Sequence, residues 1–212
     1  MRTSVVVVAG LSLAVLAGAY ASPVRAEGRG LHVGVQVGFS PSVWFYDAAS
    51  GGVEIGWQVS TRFGLRADVS AGAATFKSNA TSDIYASASE RRYASLPVCL
   101  SLLHVLPVSE AVMAYIGAGA GFYALTIRDI LTEEGSYANS KRTETSQKIS
   151  GIAPHLNIGL ESRLSKTLTI FGEVRESIGR KTVEIQDGAF RREEAVQFGG
   201  VQLKAGIRLY FR

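Results

Sequence analysis

Beyond residue 30 the chain alternates apolar and polar positions. Leu31, Val33, Val35, Val37 and Phe39 stand against His32, Gly34, Gln36 and Gly38. Val53, Ile55, Trp57 and Val59 alternate with Glu54, Gly56, Gln58 and Ser60. Phe63, Leu65, Ala67, Val69 and Ala71 alternate with Gly64, Arg66, Asp68, Ser70 and Gly72. The last segment sets Val201, Leu203, Ala205, Ile207, Leu209 and Phe211 against Gln202, Lys204, Gly206, Arg208 and Tyr210. Such alternation predicts strands with one apolar and one polar face. Weaker versions occur near 93–104, 112–127, 151–163 and 168–178, giving eight strands. In the third of these, His155, Asn157, Glu161 and Arg163 share the polar face; in the fourth, Thr169, Glu173 and Arg175 do. The uncharged stretch 112–127 resembles a membrane helix in composition, but Gly117, Gly119 and Gly121 at every second position disfavour one.

The connections alternate in length. Those at 40–52, 77–92, 129–149 and 180–197 are long, and those at 60–62, 106–110 and 164–167 are short. The long ones carry Ser, Thr and charge clusters such as Glu133, Glu134, Lys141 and Arg142, or Arg191, Arg192, Glu193 and Glu194. They read as solvated loops. Eight strands joined this way predict an all-β, antiparallel up-and-down barrel with four loops at one end and three turns beside the termini.

Composition decides which face looks inward. A soluble barrel is apolar inside and a membrane barrel polar inside. The polar face here mixes many glycines with Arg66, Asp68, Glu161, Arg163, Glu173, Arg175, Lys204 and Arg208. Small residues beside long charged ones suit a crowded interior filled by ion pairs. We therefore expect these eight, with His155, to form an interior polar network. The apolar face runs about ten residues per strand, which at ~3.3 Å rise and about 40° tilt spans roughly 25 Å, the height of an outer-membrane band.

Residues 1–26 read as an export signal: Arg2, an uncharged run from Ser4 to Tyr20, and small-residue sites that place cleavage after Ala21 or Ala26. The barrel would then occupy 27–212. An N-terminal anchor is the alternative, but the apolar run is short for a spanning helix. Removing Arg2 and Arg25 lowers the 22 basic residues to 20 against 18 acidic ones, so the net charge falls from +4 to +2. The apparent basicity of the chain (pI ≈ 9.3) partly leaves with the signal, and no nucleic-acid partner is expected. The single Cys99 excludes an intrachain disulfide and suits an oxidising compartment.

On these residues the chain resembles the small eight-stranded outer-membrane barrels: the OmpA-like transmembrane domain and the opacity and OmpW-type families. The C-terminal pattern Lys204, Gly206, Leu209, Phe211 is similar to the assembly signal such proteins present to the barrel-insertion machinery. Those families usually end on the aromatic residue, whereas this chain continues to Arg212. The resemblance implies location in the cell outer membrane and contact with its lipid, and it does not carry over the peptidoglycan-binding activity of OmpA-type proteins. It implies no ligand.

Candidate chemistry is sparse. The family that deacylates lipid A resembles this architecture and uses His-x-Ser with a Glu; here the corresponding pair is His155 and Asn157, without the hydroxyl. An interior, hydrogen-bonded His155 is the expected role. His32, His104 and Cys99 show no metal-ligand spacing, and no nucleotide or cofactor motif is present. Trp44, Phe45, Tyr46, Tyr93, Phe122, Tyr123, Tyr210 and Phe211 near strand ends suggest an interfacial girdle. The function expected is a non-enzymatic outer-membrane barrel, structural or acting through its surface loops, with at most a narrow solute pathway. A lipid A-modifying enzyme and an adhesin that binds a surface ligand through its loops are the alternatives.

Overall fold

The computed structural model describes residues 30–40, 48–82, 85–135, 140–187 and 190–211. The expected cleavage sites, Trp44, Phe45, Tyr46 and Arg212 lie outside them. Eight antiparallel strands follow in sequence order: β1 (Gly30–Ser40), β2 (Ala48–Gln58), β3 (Phe63–Ser82), β4 (Tyr85–Pro107), β5 (Val112–Gly135), β6 (Ser140–Arg163), β7 (Leu168–Asp187) and β8 (Phe190–Phe211). Each pairs with its neighbours, and β8 pairs with β1 to close a barrel without free edges at that level.

The register fixes the tilt. The rung through Gly30 passes Gln58, Gly64, Leu103, Gly117, Asn157, Arg175 and Gln202. Gln202 lies two residues before Lys204, which pairs with Gly38, so the rung returns level with Ser40, ten residues further along β1. A stagger of ten rises over eight strands corresponds to about 40° of tilt.

The three short turns share one construction. Ser60, Ser109 and Ser165 each follow an apolar residue and precede another by three positions. In every case the serine Oγ accepts N–H groups from the second and third residues after it. The carbonyls of Phe63, Val112 and Leu168 accept two backbone N–H groups each and complete the turns. The side chain thus supplies an acceptor for donors that the strand ladder leaves over.

The strands run further than the alternation alone indicates. Much of 77–92, 129–149 and 180–197, expected as loops, is paired hairpin instead. Charges in these segments pair on the sheet: Arg91 of β4 donates to Asp129 of β5 at 2.5 and 3.0 Å, Arg128 of β5 pairs with Glu144 of β6, and Arg92 donates to Glu90 two residues away on the same face of β4 at 2.6 Å. In this extension the Arg92 guanidinium holds the Glu90 carboxyl below the usual carboxylate range. Opposite charges on facing positions stabilise a sheet as apolar pairs do, and they erase the apolar–polar contrast that periodicity reads.

Side-chain directions place the polar face inside. Val35, Val53, Leu100, Ile116, Leu156 and Ile207 are exposed on the outer wall, while Arg66, Glu173, Arg175, Lys204 and Arg208 are buried. Polar residues interrupt the apolar wall at Glu176, between Val174 and Ile178 on β7, and at His104, between Leu102 and Leu106 on β4, where its ring meets Phe63. The expected girdle needs correction. Tyr93 packs on the inward cluster of Leu125, Ile127 and Ile149, and Tyr123 and Tyr210 also turn into the lumen. Strand parity, not nearness to a strand end, decides their side. The outward aromatics near the short turns are Trp57, Phe63 and Phe211, with Phe122 higher on β5.

Candidate functional site: the ion-paired lumen

Eight ionised side chains cross the lumen in alternating sign: Glu161, Arg208, Glu54, Arg66, Glu173, Arg175, Asp68, Lys204. Arg208 Nη1 donates to Glu161 at 2.5 Å, and its Nε donates to Glu54. Glu54 lies 3.8 Å from Arg66, whose Nη2 meets Glu173 at 2.5 Å. Glu173 lies 3.2 Å from Arg175. Arg175 grips Asp68 with both terminal nitrogens, at 2.9 and 2.6 Å, and Lys204 donates to the same carboxylate at 3.0 Å. Each of the eight is at least 96% buried. Four cations meet four carboxylates, so the set is neutral, and each internal member has an opposite charge on both sides. That arrangement offsets the cost of removing charge from water, which an isolated buried ion cannot do.

Neutral donors add to several of these carboxylates. Tyr115 Oη and Asn157 Nδ2 donate to Glu173 at 3.0 and 3.2 Å, Tyr210 Oη donates to Glu161 at 2.7 Å, and Gln36 Nε2 donates to Asp68 at 3.4 Å. The Phe171 ring covers Arg208, with the guanidinium carbon 3.8 Å from its centroid. Planar, delocalised guanidinium stacks on such a face in a way that ammonium does not.

The glycines of the polar face make this filling possible. A Cβ on Gly206 would stand 2.7 Å from the Phe171 ring, and one on Gly159 would collide with Tyr115. The missing side chain on one strand is thus the space for the aromatic ring on its neighbour. Beneath the network a cavity of about 20 Å³ is bordered by His32, Tyr115, Glu161, Arg208 and Tyr210. It has room for one water. Above the network, Cys99, Tyr123 and Ala153 form a buried cluster, with Leu125, Ile127 and Ile149 a second one beyond it.

Of the residues singled out from sequence, Arg66, Asp68, Glu161, Glu173, Arg175, Lys204 and Arg208 lie in the chain of charges. Arg163 is buried at the short-turn rim, below it. His155 lies beside the chain and shares a 2.9 Å hydrogen bond with Ser101 on β4. This Ser–His contact has no third member, because the other ring nitrogen meets no hydrogen-bond partner among the described residues. Both side chains are buried. Lys204 points inward, Leu209 and Phe211 outward, and Gly206 faces Phe171. Glu54 is the functional residue the candidate set lacked. It occupies the polar face of β2 opposite Asp68, and the alternation Val53-Glu54-Ile55 was the signal that could have found it.

Residues 5–208 match the family model described as outer membrane protein beta-barrel domain. Among solved structures, the N-terminal β-barrel domain of Pseudomonas aeruginosa OprF is similar at 11% identity and TM-score 0.43, covering 87% of this chain and 100% of that one. Ail, the attachment invasion locus protein of Yersinia pestis, is similar at 13% identity and TM-score 0.45, covering 86% and 99%. Neisserial surface protein A is similar at 12% identity and TM-score 0.46, covering 87% and 98%. No curated protein matches the sequence.

Proposed function

This chain belongs to the outer membrane protein β-barrel domain family, and on that footing we propose that it is a closed-lumen barrel acting as a scaffold, not as a general pore or an enzyme. It resides in the cell outer membrane. The neutral chain of eight buried charges carries the proposal. It fills the section through which a solute would pass, with ion pairs and glycine-seated aromatics in place of a water column. Eight-stranded barrels have interiors only wide enough for side chains to fill. The paired hairpins above the membrane add rigidity to what is presented outside, since ladders and ion pairs hold them where loops would be free. The catalytic alternative has weak support: Ser101 and His155 are buried and lack an orienting acid. In such barrels the short turns face the periplasm and the longer segments the exterior. Lys204, Gly206, Leu209 and Phe211 would present the assembly signal to the insertion machinery before closure.

Planar-bilayer recording of the refolded full chain tests the closed lumen. The expected record lacks stable conductance steps. Reproducible steps of porin size in the wild-type protein would overturn the reading.

A further inference from the structure

The barrel wall opens early at the seam between β6 and β7. The β6–β7 ladder ends at His155↔Ser177. On either side, β5–β6 continues to Glu134↔Ser140 and β7–β8 to Asp187↔Phe190. Pro154, next in the outward direction on β6, has no N–H to extend the ladder. Ile152 and Ile178 lie past the last rung and still face outward, 73% and 67% exposed. The seam therefore opens below the top of the apolar band, where backbone groups facing lipid need partners.

One partner is a lysine. Lys181 Nζ donates to the Ser150 carbonyl at 3.0 Å and so bridges β7 and β6. An ammonium has three donors, and two remain. Arg180 on β7 and Lys148 on β6 are exposed on the outer face beside it. Neither meets a carboxylate among the described residues. The other outward cations at this level differ, since Lys77 and Arg92 pair with Glu90 and Arg128 pairs with Glu144. Glu176 is four residues below Arg180 on the same strand face, about 13 Å by strand rise, too far to neutralise it.

We propose that this seam binds a phosphate-bearing lipid of the outer leaflet. Lys148, Arg180 and the free donors of Lys181 hold the phosphate through charge-assisted hydrogen bonds. An acyl chain lies over Ile152, Pro154 and Ile178, which continue downward from the cations. A basic cluster at headgroup height above an exposed apolar strip is complementary to both ends of such a lipid. The inference rests on the outer-membrane placement and is independent of whether the lumen conducts.

The test titrates diphosphoryl lipid A onto the refolded full chain in neutral detergent, with bound lipid counted by native mass spectrometry. Heat-modifiable gel mobility verifies that each variant is folded. The wild type is expected to retain one lipid, and Lys148→Gln with Arg180→Gln to weaken binding about thirtyfold, the effect of two headgroup contacts. Lys77→Gln with Arg92→Gln, on a distant part of the wall, is expected to bind as wild type. The proposal is overturned if the first pair binds as wild type or if both pairs weaken binding equally. It also fails if dephosphorylated lipid A binds as well, or if inorganic phosphate at equal concentration displaces the lipid, which would make the site one for the free anion.

Discussion

Replacing Glu173 by Gln tests the lumen most directly, because its carboxylate lies between two guanidiniums. The amide is isosteric, so no cavity opens. Arg66 keeps an oxygen at its 2.5 Å contact but loses the charge on it, so that its remaining ionic partner is Glu54 at 3.8 Å, while Arg175 keeps its two bonds to Asp68. Tyr115 and Asn157 both donate to one oxygen of Glu173, and the amide oxygen can still accept from them. The loss is therefore one of charge between two guanidiniums: Arg66 is left with a carboxylate only at 3.8 Å, and the amide nitrogen takes the place of the oxygen 3.2 Å from Arg175. Breaking a buried pair costs about 3–5 kcal/mol. We expect the lower end, about 3 kcal/mol, because Glu54 compensates part of the stranded charge. Urea unfolding of the barrel in phospholipid vesicles, followed by tryptophan emission, measures it. Adding Arg66→Met to Glu173→Gln should recover most of the loss, since the pair then disappears together. A loss below about 1 kcal/mol for Glu173→Gln, the scale of exposed pairs, would mean that water already reaches Arg66. The argument for a dry, ion-filled section would then fail.

Three further outcomes follow from the same geometry. Glu176→Leu should stabilise the barrel by up to about 1 kcal/mol, because acidic groups on a lipid face are mildly unfavourable; the same unfolding assay checks it, and destabilisation would contradict the outward placement. Val53→Arg should cost about 2–4 kcal/mol if that position faces mid-bilayer lipid, and an unchanged unfolding midpoint would count against the orientation. Ser60→Ala, Ser109→Ala and Ser165→Ala should each cost about 0.5–1 kcal/mol, in the range of lost local acceptors, and should add nearly independently in the triple variant because the turns are separate.

The apolar face was legible because lipid demands it without interruption: Leu31 to Phe39 and Val201 to Phe211 alternate cleanly, and the inward placement of Lys204 and Arg208 follows from parity alone. The pairing of charges was not legible, since a one-dimensional pattern states that Glu173 points inward but not that it lies between Arg66 and Arg175. That depends on the ten-residue stagger, which brings β3 and β7 residues to a common height. The upper hairpins were missed for a different reason. There water lies outside the wall as well, so neither face has to be apolar, and Arg128, Asp129 and Glu144 pair across strands in a segment that reads as loop. Glu54 stood on the polar face in the alternation of Val53, Ile55 and Trp57, yet as the lone charge among the glycines Gly51, Gly52 and Gly56 of its strand it had no neighbouring charge to mark it as part of a network.

The alternating charges also divide unevenly between the two halves of the polypeptide. Strands β1 to β4 contribute Glu54, Arg66 and Asp68, a surplus of one negative charge, and β5 to β8 contribute Glu161, Glu173, Arg175, Lys204 and Arg208, a surplus of one positive. Asp68 meets its two cations only when residues more than a hundred positions away arrive. A nascent, half-assembled sheet therefore carries an unmatched ion that hydrocarbon rejects, and the two halves attract. Membrane entry and completion of the cylinder become a single coupled event, with the late-arriving C-terminal strands supplying the counter-charge that lets the early ones sink.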